Sequence, residues 1–90
     1  MRSLPTEVQP YHRTVTFTED SIPKGLLHEH KTKPGTWGVI HVLSGTLRYI
    51  PVGTGETVLL TATRPGIIEP DTAHMVAPEG AVSFFVEFWK

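Results

Sequence analysis

Twelve threonines, 8 prolines and 8 glycines are scattered along all 90 residues of this chain, and their spread constrains the fold more than any motif does. Threonine is stiff at χ1 and suits a pleated surface, whereas glycine and proline interrupt helices. No window keeps a helical apolar period for three turns without meeting one of these breakers. The chain divides instead into short runs separated by turn residues. Arg13 to Phe17 alternates, and so does Leu26 to Lys31. Trp37 to Leu43 and Thr46 to Val52 flank Ser44-Gly45, which predicts a hairpin. Gly53-Thr54-Gly55 turns the chain into Thr57 to Thr61, Pro65-Gly66 opens a run to Glu69, and Pro70-Asp71 turns it again before His74 to Ala77. Val82 to Trp89 closes the chain as the strongest strand. About eight strands in so short a chain predict an all-β sandwich, barrel or jelly roll.

Composition sets the remaining bounds. Hydrophobic residues at 39%, with the 8 glycines added, reach the usual globular share, so one packed domain over residues 1–90 is expected. Residues 1–12 read as an N-terminal arm. Eight basic against 9 acidic side chains leave a net charge of −1, with no basic stripe for nucleic acid or an anionic membrane. The absence of cysteine excludes disulfides, thiolate metal sites and cysteine nucleophiles. The opening residues lack the apolar run of a signal peptide, and no apolar stretch is long enough to span a bilayer, so a cytoplasmic domain is expected.

Five histidines carry what chemistry the sequence offers: His12, His28, His30, His41 and His74. On a strand, residues two apart share a face, so His28 and His30 would stand side by side with Leu26. Two neutral imidazoles so placed suit a shared cation, and two structural histidines at the lip of a sheet are the other reading. His74 follows a turn at the start of a strand, where a barrel could bring a third ligand to the pair. His41 has the parity of Trp37, Val39 and Leu43 and reads as structural or at a subunit surface. His12 reads as surface. Trp37 and Trp89 read as core or interface aromatics, and Lys31, Lys33 and Arg48 as solvated, with a weak anion site open at Lys31-Thr32-Lys33.

The segment from His30 through Pro34-Gly35-Thr36-Trp37-Gly38 to Val42-Leu43-Ser44-Gly45-Thr46-Leu47 resembles a small cupin. More narrowly, it resembles the cupin-type domain related to the N-terminal part of tellurite-resistance protein TehB. Glu69-Pro70 followed by His74, and Phe84-Phe85-Val86-Glu87-Phe88, extend the likeness from about Tyr11 to Lys90. The resemblance implies a double-stranded β-helix, a jelly-roll barrel, with a divalent metal in its mouth held by His28, His30 and His74. Gly38 stands where the cupin pattern has an acidic ligand, which leaves Glu87, Glu69 or water as the fourth. The apolar face Val82, Phe84, Val86 and Phe88 would turn Glu87 outward. Three imidazoles with an open position suit Zn²⁺ first, and Fe²⁺ or Ni²⁺ as well.

Two functions follow from the resemblance. One is a metal-dependent module that binds or senses a small anion or oxidant, linked to tellurite or other oxyanion resistance. The other is a small metalloenzyme, with iron-dependent dioxygenase or zinc-dependent hydrolytic chemistry. The related methyltransferase activity is not expected of this chain, which has no Gly-rich loop for S-adenosylmethionine. The closing strand is apolar on both faces apart from Ser83 and Glu87, so a homodimer is expected.

Overall fold

In a computed structural model the chain forms seven strands and a single helical turn among the described residues. Residues 1–3, Glu29 and Thr54, and the side chain of His30, lie outside the described residues. In chain order the elements are β1 (Pro10–Arg13), β2 (Phe17–Thr18), α1 (Lys24–Leu27), β3 (His30–Lys31), β4 (Trp37–Pro51), β5 (Val58–Leu60), β6 (Gly66–Ile68) and β7 (Ala73–Trp89). Every pairing is antiparallel. The class is all-β, as the threonine, glycine and proline pattern requires.

Two long strands organise the sheet. β4 and β7 pair along nearly their whole length, from Trp37 opposite Trp89 to Pro51 opposite His74. In one half, β6 lies outside β4, and β1 and β2 lie outside β7. In the other half, β5 lies outside β4 and β3 lies outside β7. A straight strand of 17 residues would run about 56 Å at the usual rise. The longest extent of the whole molecule is 35 Å, so β7 has to bend. The bend folds one half of the sheet toward the other, and residues of both halves enter one buried cluster: Ile40, Val42, Phe84 and Val86 with Leu47, Tyr49, Leu60 and Val76.

The bend sits where a hairpin was expected. Ser44-Gly45 does not reverse the chain; it lies inside the continuous strand β4, at two register shifts. Leu43 is an extra residue opposite the step from Phe84 to Ser83, and Gly80 and Ala81 are extra residues opposite the step from Gly45 to Thr46. Such bulges kink a strand and sharpen its twist. The insertion at Leu43 also shifts the side-chain phase of β4. Ile40 and Val42 point inward before it, Leu47 and Tyr49 after it, while Leu43 itself is exposed. Gly45 takes the left-handed conformation the bulge needs, at φ +77°, and its backbone lies against the Ala81 carbonyl.

The run from Leu26 to Lys31 also departs from expectation. Pro23 leads into one helical turn, Leu26 N–H donates to the Pro23 carbonyl at 2.9 Å, and the turn ends at His28, whose φ of −115° and ψ of 164° are extended. Only His30 and Lys31 join the sheet, so strand parity does not extend back to Leu26. The strands do not close into a barrel by hydrogen-bonded pairing among the described residues. Across the open side, Thr32 ties the segment after β3 to the turn after β6: its hydroxyl donates to the Glu69 carbonyl at 2.9 Å, and its own carbonyl accepts from Asp71 N–H at 3.2 Å.

Candidate functional site

Alternation along β7 turns His74 and Val76 to the same inner face as Val82, Phe84 and Val86. His74 is 1% exposed. Its Nδ1 donates to the Thr72 carbonyl at 2.8 Å, which fixes the ring and the tautomer, since a carbonyl can only accept. Tyr49 faces it from β4, with ring centroids 5.7 Å apart. Burial, and then the negative charge of Glu69, pushes the Tyr49 phenol up to about 12. Tyr49 is therefore a neutral hydroxyl across the physiological range.

A cavity of about 360 Å³ opens between the two halves of the sheet. Its walls are Ile40, Ile68, Val76, Phe84, Val86 and Phe88, with Leu26 of α1 at one side. His74 and the hydroxyls of Thr32 and Thr36 supply polar groups, and Lys31, Lys33, Tyr11 and His12 complete the lining. Thr36 is buried, and both lysines are exposed. The size falls within the range of about 300–1,000 Å³ typical of small-molecule sites, and so does the chemistry, an apolar wall with a few placed polar groups.

The expected site residues are distributed unevenly around this cavity. His74 lines it, and His30 is its register partner across β3 and β7. His28 sits at the exposed end of α1 and is not among the lining residues. Glu87 lies on the outer face, as its parity predicts, where its Oε1 accepts from His41 Nε2 at 3.3 Å and from Trp89 Nε1 at 2.9 Å. His41 stacks on Phe85 at 4.8 Å between centroids, which makes it part of that outer cluster. Sequence reasoning missed Tyr49 and the lining role of Tyr11 and His12. Tyr49 could not be found by parity alone because the phase of β4 changes at Leu43.

A bent, all-β sheet enclosing a ligand-sized apolar cavity between its halves defines the class: a small β domain built around an internal site. The chain belongs to the TehB-like domain family, whose model matches residues 12–86. Among curated relatives, the probable S-adenosyl-L-methionine-dependent methyltransferases TehB of two Haemophilus influenzae strains are 28% and 27% identical, each over 73% of this chain. The chain spans about a quarter, 25%, of the length of those relatives. The crystal structure of TehB from Haemophilus influenzae superposes with a TM-score of 0.86 at 24% identity, covering 93% of this chain and 32% of that one. A crystal structure of an Escherichia coli protein gives 0.91 at 18% identity, covering 100% and 97%. At these identities the two structures establish the fold.

These findings correct the expected function and cofactor. The metal-binding cupin, with its small-anion or oxidant sensing, and the alternative metalloenzyme both rested on a divalent ion at His28, His30 and His74. The family is TehB-like, and the curated relatives are named for S-adenosyl-L-methionine, not for zinc, iron or nickel. Among the described residues no group of three His, Cys, Asp or Glu side chains could hold a metal ion. The physical reason lies in α1. The strand expected from Leu26 through His30 is broken by the helical turn, His28 is not among the residues lining the cavity, and the side chain of His30 lies outside the described residues.

Proposed function

We propose that the chain serves in methyl transfer as a ligand-binding β domain, holding a small molecule for a unit that carries S-adenosyl-L-methionine. The cavity between the sheet halves carries this reading: apolar walls around a buried, tautomer-fixed His74 form a site for a small molecule. The TehB-like family and the methyltransferase relatives supply the context. The cofactor itself belongs, on this reading, to the remaining three quarters of those relatives. The one helix described here has 4 residues, and no Gly-rich loop leads into it. We read the bent sheet as a single jelly-roll domain of cupin type. We also read it as cytoplasmic and dimeric, with the outer cluster of His41, Phe85, Glu87 and Trp89 as the face for a second copy. No described helix is long and apolar enough to cross a membrane. Of the positions His28, His30 and His74, we place ligand contacts at the end of the sheet where His30 pairs with His74.

Amide NMR spectra of the chain, titrated with a library of small organic molecules and separately with S-adenosyl-L-methionine, test the proposal. Binders should shift the amides of His74, Val76 and Phe84, and Val76→Phe, which fills the cavity, should abolish those shifts. Stoichiometric binding of S-adenosyl-L-methionine by this chain alone, or a library with no effect at the cavity, would defeat it.

A further inference from the structure

We propose that the cavity takes an amphipathic organic acid, with its apolar body against Ile40, Ile68, Val76 and Phe84 and its carboxylate at Lys31 and Lys33. This rests on the reading of the cavity as a ligand site and names the class of ligand. The observation that carries it is an asymmetry of charge. The chain as a whole has slightly more acidic than basic residues, 9 against 8. Among the described residues lining the cavity there are two lysines and no Asp or Glu. A cavity whose walls are of low dielectric and whose mouth carries one sign of charge concentrates ligands of the opposite sign.

The lysines are held where they can act. Thr32, between them, is pinned through both its hydroxyl and its carbonyl to the Glu69–Asp71 turn, which sets Lys31 and Lys33 on the rim. Lys31 has Asp71 within 4.0 Å, with the two side chains 64% and 62% exposed. A pair so solvated is weak and is readily exchanged for a ligand carboxylate. Deeper in, the lining is Ile40, Ile68, Val76, Phe84 and Val86 around the buried His74. The Tyr49 phenol behind His74 stays protonated up to about 12, so Tyr49 itself adds no negative charge, and the carboxylate of Glu69 beside it is not part of the cavity lining. The apolar walls favour burial of a hydrocarbon or aromatic body, and they offer a second carboxylate no partner.

Calorimetric titration of the chain with octanoate and phenylacetate, beside the neutral octanamide and phenylacetamide, provides the test. At least one acid should bind about tenfold or more tightly than its amide at low salt. Which of the two shows the advantage tells an aliphatic from an aromatic body. The advantage should shrink at about 0.5 M sodium chloride, where screening reaches roughly 4 Å. Lys31→Gln/Lys33→Gln should bind acid and amide alike while keeping the wild-type affinity for the amide. The salt titration of the wild-type chain gives the answer even if that variant folds poorly. Equal binding of acid and amide would overturn the anion inference and leave the ligand site standing. No binding by any of the four would overturn both.

Discussion

Substitution of Gly45 separates a bulge within a continuous strand from a hairpin turn. Both placements give a glycine with positive φ, but they differ in what surrounds it. At an open turn, alanine costs about 1–2 kcal/mol for the left-handed backbone, and asparagine, which visits that region readily, recovers most of the loss. In the bulge, any Cβ on Gly45 runs into the Ala81 carbonyl oxygen. Relieving that contact has to move backbone, and overpacking of this kind costs about 1–3 kcal/mol more. Gly45→Ala should therefore lose about 2–5 kcal/mol and Gly45→Asn about 1–4 kcal/mol, a large part of the roughly 4–14 kcal/mol expected for 90 residues. Gly80 supplies the control. Its φ is +73°, and nothing lies within 4 Å of a Cβ built there. Gly80→Ala should lose about 1–2 kcal/mol, and Gly80→Asn less than about 1 kcal/mol. Urea unfolding, with unchanged slope, measures all four variants. A Gly45→Asn variant as stable as Gly80→Asn would refute the bulge and return the chain to a hairpin at Ser44-Gly45.

Two pH effects follow from the buried and bonded groups. The Tyr49 phenol is raised from 10.0 to about 12 in the folded chain, so its neutral form stabilises the fold below the unfolded value. That stability is lost as pH climbs from about 10 toward 12, by less than about 3 kcal/mol, and Tyr49→Phe should remove this part of the alkaline loss in unfolding experiments. Glu19 is exposed, and its carboxylate accepts from Val82 N–H at 3.0 Å, which holds it below the ordinary value of 4.5. Its contribution is present above 4.5 and fades as pH falls through the lower folded value, so Glu19→Gln should flatten the acid limb of stability against pH. An acid limb identical to that of the unaltered chain would dismiss the Glu19 clasp as a stabilising contact.

The amino-acid sequence by itself determined the β class, because Thr, Gly and Pro act residue by residue on the backbone. It also determined which face of the last strand is buried. Val82, Phe84 and Val86 are inward and Glu87 is outward because alternation is a local property of a pleated chain. The run Pro65-Gly66 to Glu69 and the turn at Pro70-Asp71 were legible for the same reason. Local patterns failed where two segments distant in sequence had to agree. Whether Ser44-Gly45 turns or bulges depends on the carbonyl of Ala81 and the extra residues of the partner strand, not on the dipeptide. Whether Leu26 and Leu27 extend or wind depends on Pro23 and on packing against the core, which took the helical turn and ended the alternation that the sequence suggested from Leu26 onward. The cavity exists only because β7 bends and brings Val76 and Val86 to the same space. Side-chain period is written along one strand, whereas the enclosure of a site is decided by where two strands are allowed to bend together.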